Sequence, residues 1–141
     1  MAKARITERI DIPIDRVWDL IKDFGDLRWS PGATIIKLEG EGPGMIRHVE
    51  GGDLGLFKEQ CDAIDDGNHT LCYTLLESPA PFEDYRAKIE LAEISPGTCE
   101  IVWSSEFVPV SVSNADAVKL VEDMYRYFIH NIRSMIEPIS K

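Results

Sequence analysis

Arg47 and Glu59 each interrupt a row of apolar side chains. Alternation along 44–50 puts Arg47 between Met45 and Val49, and alternation along 54–64 puts Glu59 between Phe57 and Cys61. If the two runs are neighbouring strands, opposite charges project side by side into an apolar, aromatic-lined space. An isolated buried charge costs on the order of several kcal/mol, so the two must pair with each other or with a ligand. The chemistry this permits is an Arg that anchors a carboxylate, enolate or other oxyanion beside a Glu acting as general acid or base. The plain alternative is an ion pair that fixes strand register. A slip of one residue would turn both side chains to solvent.

Tyr73, Tyr85, Trp103 and Tyr125 bring hydrogen-bonding tips toward the same interior, either to orient a polar ligand atom or to act as core with a buried partner. With Trp29, Phe57, Ile89, Phe107, Ala117 and Val121 they are the candidate ligand-binding residues. Other chemistries find no support. The turn Gly40-Glu41-Gly42-Pro43-Gly44 lacks the Gly-Lys-Ser/Thr ending of a phosphate loop and leads into a strand. Asp65-Asp66-Gly67-Asn68 is too short for a calcium loop and suits a turn. His48, His69 and His130 are scattered, so no metal and no cofactor is expected, and no Gly-x-Ser-x-Gly elbow occurs. Cys61, Cys72 and Cys99 are an odd, irregularly spaced set, read as reduced thiols.

The elements that must position these groups are legible from periodicity. Residues 4–12 alternate as a first strand with Ile6, Ile10 and Ile12 inward. After Pro13, the apolar residues at 14, 17, 18, 21 and 24 form a short amphipathic helix that Gly25 breaks. A second short helical turn is expected over 26–29, before Ser30-Pro31-Gly32. Strands follow over 33–39, 44–50, 54–64, 69–77, 85–94 and 99–108, and the turns between them suit an antiparallel meander. Their inner rows are Met45 and Val49; Phe57, Cys61 and Ala63; Leu71, Tyr73 and Leu75; Tyr85, Ala87, Ile89 and Leu91; and Cys99, Ile101, Trp103, Ser105 and Phe107. A long helix over 114–137 carries the stripe Ala117, Val121, Met124, Tyr125, Phe128, Ile132 and Met135, capped by Asn114 or Ser113 and ended by Pro138. Phe128, Ile132 and Met135 are expected to pack tightly on the sheet, and Ala117, Val121 and Tyr125 to line a pocket.

Seven strands make a sheet roughly 30 Å wide, whereas a helix with side chains is about 10–12 Å wide. One helix cannot fill the concave face of such a sheet, so a cavity between them is expected, and an aromatic-lined cavity is a small-molecule site by default. The chain has 141 residues, 44% hydrophobic and 28% charged, the composition of one globular domain. Its net charge of −10 disfavours nucleic acid and anionic membrane surfaces. No apolar run approaches the ~20 residues that span a bilayer. The start, Met-Ala-Lys-Ala-Arg, has no apolar run behind it, so no signal peptide is expected and the setting is read as cytoplasmic.

The order β, α, α, six β, long α resembles the START-like or Bet v 1-like (SRPBCC) superfamily, the helix-grip fold, in its polyketide cyclase/dehydrase-type branch. The residues that carry the resemblance are Pro13 with Val17-Trp18, Trp29 with Pro31, the turn at 40–44, Ile46-Arg47, Glu59, Tyr73, Tyr85, and Val102-Trp103 with Phe107. The resemblance implies an α+β domain over 1–141: a curved seven-stranded antiparallel sheet gripping the C-terminal helix, two short helices between strands 1 and 2, and an internal cavity. Gly44-Met45-Ile46-Arg47, Lys58-Glu59-Gln60 and Ala63-Ile64-Asp65 are also similar to the matching strands of lachrymatory-factor synthase, which implies catalytic roles for Arg47 and Glu59. The superfamily includes lipid and hormone carriers, cyclases and small lyases or isomerases. The function expected is therefore binding of a small hydrophobic molecule of lipid, polyketide or aromatic carboxylate type, by a monomer or homodimer. The alternatives are a cofactor-free cyclase, dehydratase or isomerase using the same cavity, and an interaction module whose helix fills it.

Overall fold

The computed structural model describes residues 1–136, apart from the side chain of Asp53. The elements run β1 (Ala2–Ile10), α1 (Ile14–Ile21), β2 (Thr34–Glu39), β3 (Ile46–Glu50), a 3-10 turn (Gly52–Leu54), β4 (Leu56–Asp65), β5 (Thr70–Glu77), β6 (Phe82–Ser95), β7 (Thr98–Pro109) and α2 (Asn114–Ile136). All seven strands pair antiparallel in the spatial order β1-β7-β6-β5-β4-β3-β2. Six of them form a meander because short turns join them. In the hairpin between β2 and β3, Gly40 (φ 81°) and Gly44 (φ 97°) adopt backbone conformations that a Cβ would strain. Between β4 and β5, the Asp65 carboxylate accepts from the backbone and side-chain nitrogens of Asn68, at 3.1 and 2.8 Å.

β1 and β2 occupy opposite edges of the sheet, so the chain between them must cross it. α1 and residues 22–33 make that crossing and bury Val17, Trp18, Phe24, Leu27 and Trp29. Pro13 caps α1, its carbonyl accepting from Arg16 N and Val17 N. Trp18 Nε1 donates to Asp66 Oδ1 at 2.8 Å, anchoring α1 to the β4–β5 turn. The helical turn expected over 26–29 does not form, leaving one helix between β1 and β2 instead of two. Asp26 N donates to Asp23 O and Ser30 N to Leu27 O as separate turns. The Asp26 side chain also accepts from Arg28 N, a local bond that competes with helix.

The inner rows hold for β3, β5, β6 and β7, where Val49, Tyr73, Tyr85, Ala87, Ile89, Leu91, Ile101, Trp103 and Phe107 are buried. β4 departs from the expected phase. A bulge between Cys61 and Ala63 turns Ala63 outward, and Ile64 takes the inner position opposite Leu71. Further register shifts at 35/37, 58/59, 83/86 and 93/95 add local bends that help the sheet wrap the helix.

α2 buries Ala117, Val121, Tyr125, Ile129, Ile132 and Ile136. The expected stripe is therefore corrected at its C-terminal end, where Ile129 and Ile136 take the central positions. Phe128 and Met124 lie on the flanks, and Met135 is 46% exposed. The rotation of the helix is set by polar bonds to β1. Arg5 N donates to Glu122 Oε2 at 3.2 Å, and Arg133 pairs with Glu8 at 2.8 Å while donating to Arg9 O at 2.6 Å. Ser113 rather than Asn114 supplies the cap, its Oγ accepting from Asp116 N. The stop expected at Glu137-Pro138 lies outside the described residues. Among the described residues no helix is long and apolar enough to cross a membrane.

Ile132 is fully buried and Met135 is not, so the two should respond differently to truncation. Ile132→Ala is expected to cost about 3 kcal/mol in denaturant unfolding, and Met135→Ala under about 1 kcal/mol.

Candidate functional site

Arg47 and Glu59 are directly opposed across β3 and β4. Arg47 Nε donates to Glu59 Oε1 at 2.8 Å, with the two side chains 9% and 18% exposed. Arg47 Nη1 donates to the Phe24 carbonyl at 3.0 Å, and its guanidinium lies 3.8 Å from the Phe24 ring centroid and 5.9 Å from that of Tyr73. The expected inner-face pair is present, and Arg47 has a further task. It fastens the crossing segment to the sheet through Phe24, which the sequence marks only as the last apolar residue of a helix.

Deeper along the same face the tyrosines meet. Trp103 Nε1 donates to Tyr73 Oη at 3.1 Å. Tyr85 Oη and Tyr125 Oη hydrogen-bond to each other, joining β6 to α2. Burial raises all three phenols above their ordinary range, and the negative charge of Glu59 adds to the effect at Tyr73 and Tyr125. Ser105 lies within reach of both members of the Tyr85–Tyr125 pair, and its hydroxyl offsets part of the rise at each. Of the thiols, Cys99 is pushed up to about 11 by burial, and burial also raises Cys61 and Cys72.

Nine of the twelve candidates from the sequence converge in this interior. Trp29, Tyr73, Tyr85, Ile89, Trp103, Phe107, Ala117, Val121 and Tyr125 are all buried. Arg47 and Glu59 sit at the margin, and Phe57, partly buried opposite Val49, lies apart from the ring cluster. Aromatic side chains pack against one another in the space between sheet and helix where the cavity is expected. Trp103 stacks on Tyr125 with centroids 5.2 Å apart, and Tyr85 stacks on Phe107 at 5.7 Å and on Phe82 at 5.9 Å. Trp29, brought in by the crossing segment, packs edge-on against Trp103 at 6.1 Å and Phe128 at 5.8 Å. It is a plug inside the grip. Width alone could not anticipate how much volume these rings fill. Two surface depressions lie elsewhere, one beside Ala2, Asn114 and Val118 and one beside Leu20, Met135 and Ile136. Phe82 and Ser105 were missing from the sequence-based site. Ser105 carried a signal as the one hydroxyl in the inner row of β7, whereas Phe82 lies before the expected start of its strand.

A long helix held by a curved antiparallel sheet, with charge and hydroxyls inside an apolar grip, defines a helix-grip protein. The chain belongs to the family described as polyketide cyclase / dehydrase and lipid transport, which matches residues 1–137. Membership supports a ligand-binding or cyclase role in general. Among solved structures, the chain is similar to the protein XoxI of Bacillus cereus: 25% identity, TM-score 0.84, 96% of each chain covered. It is also similar to an uncharacterized protein of Bacillus thuringiensis (25% identity, TM-score 0.85, 97% of this chain and all of that one). A protein of Thermobifida fusca shares the fold at 23% identity and TM-score 0.84, over 100% of this chain and 99% of that one. The comparison with curated proteins yields no significant match. The narrower likeness to lachrymatory-factor synthase is not among what these matches show.

Removing one charge from the margin strands the other. Arg47→Leu is expected to destabilise by about 3 kcal/mol, since Glu59 keeps a largely buried charge and Phe24 O loses its donor. Arg47→Leu with Glu59→Leu should recover most of that loss, as chemical denaturation of the three variants would show. The phenols give a pH signature. The fold holds their protons more tightly than the unfolded chain, so their contribution is complete below the unfolded phenol value of about 10 and is lost as pH rises above it. Thermal melts should therefore fall with pH beyond that point, more steeply in the wild type than in Tyr85→Phe with Tyr125→Phe.

Proposed function

We propose that the protein binds a small, largely apolar molecule between the sheet and α2, with Arg47 and Glu59 engaging a polar group of that molecule. One observation carries the reading. A nearly dehydrated Arg–Glu pair and a set of phenols share one apolar interior, in a member of a family described by cyclisation, dehydration and lipid transport. A core needs neither to be stable, since well-packed apolar residues do as well or better. Arg47 is suited to an oxyanion or carbonyl, and Trp103, Phe107, Tyr73 and Tyr85 to an apolar body. Binding requires the rings in the grip to give way. Trp29 is the side chain best placed to do so, because it sits on the turn-built crossing segment and not on a strand.

The second reading is a cofactor-free cyclase, dehydratase or isomerase with Glu59 as acid/base and Arg47 as oxyanion partner. The cyclase/dehydrase description of the family favours it, as does a carboxylate beside a guanidinium at 2.8 Å. An environment-sensitive naphthalene dye is expected to bind with enhanced fluorescence and to be displaced by aromatic polyketides and apolar carboxylates. Absence of dye binding at any accessible concentration would sink both readings and leave an interaction module. Glu59→Gln separates them: full affinity with turnover abolished makes an enzyme, and weakened affinity with no turnover in the wild type makes a carrier.

A further inference from the structure

Three turns at one end of the grip carry apolar side chains that no other part of the described structure covers. Leu54 and Leu56 lie on the β3–β4 turn, 71% and 59% exposed. Leu76 stands exposed at the end of β5, and Val108, Val110 and Val112 on the stretch that leads from β7 into α2. The turns adjoin one another. A Cβ placed on Gly55 would lie 3.1 Å from Pro79 Cγ in the β5–β6 turn. Val110 N donates to Pro81 O at 2.9 Å, tying that turn to the β7–α2 connection. Ser111, between Val110 and Val112, is held at φ 65°, a conformation disfavoured for a residue with a Cβ. The six side chains therefore lie along one ridge of joined turns. An exposed apolar residue standing alone needs no account, but a contiguous patch with a polar rim marks an interaction surface.

Charge narrows what covers the ridge. No lysine or arginine occurs in residues 50–56, 76–84 or 108–116. Glu50 is the cross-strand partner of Leu56, and Glu83 that of Val108. Both carboxylates are on exposed residues, and among the described residues neither forms an ion pair, whereas the flanking cations Lys58 and Lys119 are taken up by Glu77 and Asp123. A second copy of the chain would bring the same carboxylates to the same ridge, and the phosphates of a lipid surface meet like charge there. We propose that the ridge is a docking surface for a basic, apolar segment of another protein. Its large apolar side chains would cover the three leucines and three valines, and its lysines or arginines would meet Glu50 and Glu83. The inference stands apart from the reading of the interior, because it needs no ligand between the sheet and α2.

The test titrates the full chain into a fluorescently labelled amphipathic helical peptide of about 18 residues, leucine on one face and lysine on the other, in about 0.15 M salt. Leu54→Ser with Val110→Ser is expected to weaken binding at least about 10-fold. Glu50→Gln with Glu83→Gln should weaken it about 3-fold or more, a loss that shrinks in about 1 M salt. Ile94→Ser with Tyr127→Ser removes exposed apolar groups elsewhere and should change the affinity less than about 2-fold. All of these side chains are exposed, so the melting temperatures of the variants should stay close to that of the wild type. A peptide that does not bind overturns the proposal. So does a ridge pair that weakens binding no more than the control pair, which would mark unspecific attraction to an acidic protein. Unchanged affinity in Glu50→Gln with Glu83→Gln overturns the basic character of the partner. Binding to phosphatidylcholine vesicles that is lost in Leu54→Ser with Val110→Ser assigns the ridge to a lipid surface in place of a protein. A dimer in sedimentation that the same pair dissolves assigns it to a second copy.

Discussion

The pairing of β1 with β7 is the constraint on which the rest of the molecule depends. It places the first strand beside the last and sends β2 to the far edge. The chain between them then has to cross the concave face, and that crossing delivers Phe24, Leu27 and Trp29 to the interior. It also leaves β1 exposed on one side, where α2 attaches through Glu122 and Arg133. Sheet, crossing segment and helix close on one another, and removing any one would expose the apolar faces of the other two.

The interior that results is crowded with rings and also polar. Stacked and edge-on contacts among Trp29, Trp103, Tyr125, Tyr85, Phe107 and Phe82 fill the space between helix and sheet. Within that packing lie a guanidinium, a carboxylate, three phenols and a serine hydroxyl, all costly to dehydrate. Arg47 recovers part of its cost by bonding Glu59 and Phe24 O together, so the same guanidinium that could meet a ligand also braces the fold. A residue with both duties ties stability to function at one point, which is why single and paired substitutions there differ in kind.

Much of the site was legible because strand periodicity is strict. Once the phase of each run was assigned, Arg47, Glu59, Tyr73, Tyr85 and Trp103 could only point one way, and all of them do. The readings that failed are those where something other than period decides. Ala63 was misplaced because a bulge shifts the phase without leaving a mark in composition. Spacings of three and four point to Met135 and Phe128 as readily as to Ile136 and Ile129, because they cover both flanks of a helix, and bonds to β1 choose the rotation. The expected turn at 26–29 yielded to the Asp26 side chain.

The amino-acid sequence by itself determined the order and type of nearly every element, the inward row of most strands, and the presence of two opposite charges on that inner side. These follow from local rules of period, turn chemistry and capping, which neighbouring residues alone enforce. Only the tertiary structure decided that Phe24 would grip Arg47, that Tyr85 would find Tyr125 across 40 residues, and that Ser105 would sit beside that pair. Those outcomes depend on which side chains share a volume once β1 meets β7 and α2 settles on them. Volume and hydrogen-bond balance belong to the folded whole and are absent from any single stretch of chain.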